Sequence, residues 1–151
     1  MKIETKTGNV LDITHGHLVH GCNAQGVMGS GIALAIRKQY PGCYEDYRKI
    51  HDDEGLELGT AYPYCPTTDL VIWNAITQEY FGSDGARYVS YDAIQTAFMD
   101  INSAVIGFDA VEKHIHIPLI GAVRGGGNWE IIREIIEQTV TVPTTLWILP
   151  T

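Results

Sequence analysis

Nowhere in this sequence do apolar residues run on for the roughly 20 positions that a helix needs to cross a bilayer. The first ten residues, MKIETKTGNV, have neither the basic segment nor the apolar stretch of a secretion signal. No membrane association and a cytoplasmic protein are the expectations. Cysteine is scarce: Cys22, Cys43 and Cys65 form an odd set with no Cys-x-x-Cys pair, which speaks against a disulfide framework and a thiolate zinc site. Positive charge is also short. Eighteen Asp and Glu against 10 Lys and Arg leave a net charge of -8, which repels a nucleic-acid backbone, so direct binding of DNA or RNA is not expected. A small anion is a different case, because backbone N–H groups and helix N-termini hold phosphate without net positive charge.

What the chain does have is 45% apolar residues over 151 positions, enough for one core and too few for two, so residues 1–151 are expected to form a single domain and a monomer. Short apolar runs at Leu18 to Cys22, Leu70 to Ile76, Ile115 to Leu119 and Thr145 to Leu149 read as buried strands. Between them, Tyr91, Ile94, Phe98, Ile101 and Val105 repeat at helical spacing behind Ser90 as cap. Ile32, Ala33, Ile36 and Tyr40 give a second helix that stops before Pro41-Gly42, and Ile132, Ile135 and Ile136 a third, capped by Asn128. Lys2 to Thr7 and Gly59 to Tyr64 read as edge strands. Strands alternating with helices predict an α/β fold, a mixed or largely parallel sheet with helices on both faces.

In such a sheet ligands bind beyond the carboxyl ends of the strands, and two glycine clusters fall there: Gly26 to Gly31 and Gly121 to Gly127. Both run from a strand end into a helix start, where missing side chains let backbone amides approach an anion. Glycines that only make turns are the competing reading. The loops match neither Walker A, for want of Gly-Lys-Ser/Thr, nor the spacing G-x-G-x-x-G. Six positions after each cysteine stand Met28, Lys49 and Val71, with no arginine for a cysteine-phosphatase loop, and no Asp-x-Asp pair occurs. Any phosphate hydrolysis then falls to water.

The residues Lys6-Thr7-Gly8-Asn9-Val10-Leu11, Val19-His20-Gly21-Cys22-Asn23-Ala24-Gln25-Gly26 and Met28-Gly29-Ser30-Gly31-Ile32-Ala33 resemble the macrodomain family. They are most similar to its branch of yeast-type ADP-ribose 1″-phosphatases and terminal ADP-ribose glycohydrolases. The resemblance continues through Tyr40-Pro41, Glu45-Asp46-Tyr47, Gly82-Ser83, Ile117-Pro118-Leu119-Ile120-Gly121 and Trp129-Glu130 to a last strand near Leu146 to Leu149. It implies a three-layer α/β/α domain with a mixed central sheet. It also implies a small-molecule ligand, ADP-ribose or a derivative, with no cofactor. Gly8, Asn9 and Val10 lie where the family recognises adenine, with Asn9 where Asp is frequent. Asn23 matches the asparagine at the distal ribose, beside Gly21 and Cys22. Met28, Gly29, Ser30, Gly31, Ile32 and Ala33 correspond to one phosphate loop, and Gly121, Ala122, Val123, Arg124, Gly125 and Gly126 to the other.

For catalysis, the glycohydrolase branch relies on a lysine after the strand equivalent to Leu70 to Ile76 and an aspartate in the second loop. Here the stretches read Ile76-Thr77-Gln78-Glu79 and Arg124-Gly125-Gly126-Gly127, so a phosphatase acting on ADP-ribose 1″-phosphate is the favoured expectation. His20 matches a histidine of the phosphatase branch and is the expected catalytic group, with Asn23 orienting ribose and water. Imidazole, titrating near about 6.5, suits that role, and a strand histidine satisfied by hydrogen bonds is its rival reading. A reader of ADP-ribose without turnover, or a hydrolase of O-acetyl-ADP-ribose or ADP-ribosylated groups, would share the same cradle. His15, His17, His20 and Cys22 suggest zinc by spacing alone, but strand alternation puts the first two and the last two on opposite faces, so no metal is expected. Gly82 to Tyr88 reads as a loop beside the cleft, in which Asp84 and Arg87 could meet a terminal phosphate.

Overall fold

The apolar runs at Leu18 to Cys22 and Leu70 to Ile76 become adjacent interior strands of the sheet, covered on both faces. The computed structural model describes every residue except Ser83, so that part of the resemblance and of the loop reading lies outside the described residues. Strands β1 (Glu4–Thr7), β2 (Gly16–Asn23), β3 (Ala61–Tyr64), β4 (Leu70–Gln78), β5 (Ile115–Ile117) and β6 (Thr144–Ile148) form one sheet in the order β1-β6-β5-β2-β4-β3. All neighbours are parallel except β3, which runs antiparallel on the edge of β4. Strand β5 stops at Ile117 rather than Leu119, since Pro118 has no N–H for the ladder.

Helices α3 (Tyr91–Gly107) and α4 (Trp129–Thr139) cover one face through Val19, Val71, Trp73, Ala75, Ile115 and Ile117. Both expected caps are made: Ser90 accepts from the Ala93 N–H, Asn128 from those of Glu130 and Ile131. On the other face α1 (Gly31–Gln39) packs with Leu18, Leu70 and Ile72, and α2 (Pro41–Asp53) with Cys22 and Ile76. The result is a three-layer α/β/α arrangement around a mixed six-stranded sheet.

Sequence periodicity does not reveal α2. Pro41, read as the end of α1, occupies the first turn of a new helix, where its missing N–H costs nothing. His15 lies before β2 and is exposed, His17 is buried against α3, and His20 and Cys22 face the α1/α2 layer. Among the described residues no cluster of His, Cys, Asp and Glu could hold a metal ion.

Candidate functional site

Because β2, β4 and β5 are parallel neighbours, their carboxyl ends share one edge of the sheet, and the loops that follow them converge. A cleft of about 390 Å³ opens there. Its floor is Gly21, Cys22 and Asn23 from the end of β2, joined by Gln78 from the end of β4. One wall is Val27, Gly29 and Ser30 with the start of α1, Gly31, Ile32 and Ala33; the other is Phe81, Gly82 and Arg124.

Helix α1 opens on Gly31 at φ +60°, a left-handed conformation that a side chain resists. Ser30 precedes it as N-cap but makes no side-chain capping bond. The first N–H groups of a helix have no partner within it, so the amides at 31–33 stay available to an anion, aided by the helix dipole. Arg124 closes over them: a Cβ added at Gly31 would stand 3.7 Å from Arg124 Cγ and 3.9 Å from Nε.

At the other end of the cleft, Asn23 is tied into its own loop. Its Oδ1 accepts from the N–H of Gln25 at 3.0 Å and of Val27 at 3.4 Å, and its Nδ2 donates to the Val27 carbonyl at 2.8 Å. Gln78 Nε2 donates to the Tyr80 carbonyl at 2.7 Å and so holds the segment carrying Phe81.

The titratable groups among these lining residues are Arg124 and Cys22. Burial first, then the neighbouring Cys43, pushes the Cys22 thiol well above its ordinary range, which leaves it un-ionised. His20, the expected catalytic imidazole, is not among the residues that line the cleft. Strand alternation turns it under α1 and α2, where it has no exposed surface. Its Nε2 lies 2.6 Å from Asn74 Oδ1 and 3.5 Å from Cys22 Sγ. Burial lowers its pKa from 6.5 to about 4 in spite of the Asn74 bond, so the ring is a neutral core group at pH 7.

Of the other residues singled out in the sequence, Gly21, Cys22, Asn23, Gly29, Ser30, Gly31, Ile32, Ala33 and Arg124 come together at the cleft. Met28 does not: it is fully buried beneath the first loop. Gly8, Asn9 and Val10 stand apart from the cleft wall. Asn9 caps a short 3-10 turn through the Leu11 N–H, and Val10 joins the cluster against which Ile32 packs. From the second glycine cluster only Arg124 lines the cleft. Gly121, Ala122, Val123, Gly125 and Gly126 do not: Val123 is exposed, the Ala122 N–H donates to the Leu119 carbonyl, and the glycines meet the Ala86 to Val89 segment, where the Gly125 carbonyl accepts from Tyr88 and Val89, a Cβ at Gly121 would lie 2.7 Å from Val89 Cγ2, and one at Gly126 2.5 Å from the Ala86 carbonyl oxygen. Asp84 bonds Tyr88 within its own loop and Arg87 stacks on Tyr91; neither lines the cleft. Val27, Gln78, Phe81 and Gly82 were not among the binding residues read from the sequence. The available signals were the position of Gln78 at a strand end and the aromatic pair Tyr80-Phe81 in a polar stretch.

No family model matches the chain. An uncharacterised 17.5 kDa protein from the tk-vs intergenic region of Enterobacteria phage T4 is 31% identical over 126 residues, covering 80% of this chain and 77% of that protein. The ADP-ribose 1″-phosphate phosphatase of Candida albicans is 24% identical, with 80% of each chain covered. The DNA ADP-ribosyl glycohydrolase of Thermus aquaticus is 23% identical over 88% of this chain, which spans 36% of that protein. Among solved structures, a Bacteroides thetaiotaomicron protein of unknown function superimposes with a TM-score of 0.85 at 27% identity, over 97% of this chain and 98% of that one. A Streptomyces coelicolor macrodomain protein does so with a TM-score of 0.81 at 25% identity, over 97% and 99%.

Proposed function

The chain belongs to the macrodomain family, and from that premise we propose that its cleft binds ADP-ribose and that the protein hydrolyses a phosphate ester at the distal ribose, ADP-ribose 1″-phosphate being the substrate. One observation carries the binding half: the start of α1, without a side-chain cap, and Arg124 line the same cleft of about 390 Å³. Backbone donors and a guanidinium are what a diphosphate requires, and they supply it without a basic surface. In this reading the adenosine lies toward Ile32 and the turn of Asn9 and Val10, and the distal ribose lies toward Gly21, Asn23, Gln78 and Phe81.

The choice of ester rests on the ribose end. Gln78 occupies the end of β4 with a neutral amide, so an adduct through an amine has no nucleophile there, while attack by water needs only positioning. The Asn23 amide and the rim residue Phe81 would hold the ribose and restrict the approach of water, and the diphosphate cradle would anchor the remainder. Kinship with the Candida phosphatase supports this choice; kinship with the Thermus glycohydrolase keeps other ADP-ribose conjugates in the test.

A second reading, an ADP-ribose reader without turnover, is favoured by the titratable groups at the cleft. Among the described lining residues, Arg124 and an un-ionised Cys22 leave no base to take a proton from water at neutral pH. One experiment separates the readings. The protein is titrated with ADP-ribose in a calorimeter, then incubated with ADP-ribose 1″-phosphate, O-acetyl-ADP-ribose and an ADP-ribosylated protein while phosphate, acetate and ADP-ribose are followed. Binding heat with phosphate release supports the first reading, and heat without any product supports the second. No heat at all removes both.

A further inference from the structure

Asn23 keeps one amide hydrogen that no described residue accepts, since its Nδ2 donates only to the Val27 carbonyl. Which way that hydrogen points depends on what fixes the carboxamide. Three groups surround its Oδ1: the donating N–H groups of Gln25 and Val27, and the hydroxyl of Tyr47 at 3.0 Å, whose one proton is shared with the Asn23 main-chain carbonyl. The first two belong to the same loop and move with Asn23. Tyr47 alone comes from a separate element, α2, and the same hydroxyl lies 2.6 Å from the Asn23 main-chain carbonyl. The tyrosine has no exposed surface and packs among Cys22, Ala24, Met28, Leu56 and Ile76. Burial foremost pushes its pKa up, so it stays a protonated donor at neutral pH. A flipped carboxamide would turn its NH2 group toward the N–H donors of Gln25 and Val27 and give up the Oδ1 share in the Tyr47 hydroxyl proton, which a buried site disfavours.

We propose that Tyr47 is a positioning residue that sets the cleft's preference for ligands carrying a sugar beyond the diphosphate: it holds Asn23 so that the free amide hydrogen faces a ribose hydroxyl. This rests on the reading of the cleft as an ADP-ribose site. ADP, which ends at the diphosphate, never reaches Asn23, whereas ADP-ribose does. Removing the hydroxyl therefore affects the two ligands unequally, an outcome that a loss of general stability does not produce.

The test is Tyr47→Phe, which keeps the ring and its packing, titrated with ADP-ribose and with ADP. ADP-ribose should bind about tenfold more weakly, the size of one oriented hydrogen bond, and ADP within about twofold of the wild type. Asn23→Ala should show the same selective loss, and the double variant should be no worse than Asn23→Ala alone. Equal losses for both ligands, or losses that add in the double variant, overturn the proposal. The wild type gives an independent readout: the Tyr47 hydroxyl proton, held between two oxygens, should exchange slowly and shift in the NMR spectrum on adding ADP-ribose but not ADP. Shifts with both ligands, or with neither, count against Tyr47. A wild-type protein that fails to bind ADP-ribose overturns the cleft assignment itself; one that binds it well while Tyr47→Phe changes nothing overturns only the role of Tyr47.

Discussion

Replacing Gly31 with glutamate isolates the electrostatic part of the proposed cradle. The backbone there has φ +60°, and a non-glycine residue in that region costs about 1–2 kcal/mol. Space is not the obstacle, since an added Cβ would make ordinary contacts at 3.7 and 3.9 Å with Arg124. Gly31→Ala should then lower stability by about 1 kcal/mol and weaken ADP-ribose binding by less than about tenfold. The glutamate adds a negative charge beside the diphosphate. At roughly 5 Å and an effective dielectric of about 20 that repulsion is about 3 kcal/mol, or on the order of a hundredfold in affinity. The added carboxylate would also pair with Arg124 and withdraw the guanidinium from the ligand. Calorimetric titration of wild type, Gly31→Ala and Gly31→Glu in 0.15 M salt, with thermal melting as the folding control, measures each contribution. The gap between the two variants should narrow as salt is raised, because an open cleft is screened. Glutamate and alanine variants that bind ADP-ribose with affinities within about threefold of each other would show that no anion sits at the start of α1.

Three further outcomes follow from the buried polar groups and the caps. His20→Ala should destabilise the fold by about 3 kcal/mol, through a core cavity and an Asn74 amide left without its partner. Turnover per folded molecule should not change, and a loss of turnover at unchanged stability would return His20 to the reaction. Burial is the leading cause that lowers His17, His20 and His116 from 6.5 to about 4 each. The unfolded chain then binds more protons between those values, so stability is complete above about pH 6.5 and falls as pH drops toward 4, by about 3 kcal/mol for His20 alone. Urea unfolding at a series of pH values reads this directly, and a flat profile from 7 to 4.5 contradicts it. Ser90→Ala removes the acceptor for the Ala93 N–H and should lower the unfolding free energy by about 1 kcal/mol, with ligand affinity untouched.

How much of this could be read from the chain depends on whether the signal is local. Strands β2 and β4 and helix α3 announce themselves through apolar runs, helical spacing and the cap at Ser90, and the structure extends each by a residue or two. Helix α2 does not, because its buried Cys43 and Tyr47 stand among charged neighbours and its opening proline reads equally well as a stop. That omission hides Tyr47, and with it the brace on Asn23. The placement of His20 is hidden for a related reason. Alternation correctly pairs it with Cys22 on one face, but the strand end exposes Cys22 to the cleft while His20 sits two residues deeper, and only the packing of α1 and α2 shows where the covered part of that face begins.

The two glycine clusters carry the harder lesson, since similar composition at similar places supports different contacts. At Gly31 a side chain would find room, an added Cβ making only ordinary contacts, with Arg124 as the nearest neighbour. At Gly126, also left-handed at φ +70°, the space is taken by main chain, and a Cβ would collide with the Ala86 carbonyl oxygen at 2.5 Å. A glycine needed for a ligand's approach and one needed for another loop's approach look alike in sequence. Here the second kind keeps the segment after β4 docked: the Gly125 carbonyl accepts from Tyr88 and Val89, and Gln78 holds Tyr80. Phe81 owes its place at the rim to those bonds. An alanine at Gly126 should therefore act at the ribose end, by displacing the Ala86 to Val89 segment and Phe81 with it, and should weaken ADP-ribose more than ADP. If it weakens both ligands equally in calorimetric titrations, the second cluster serves the diphosphate after all.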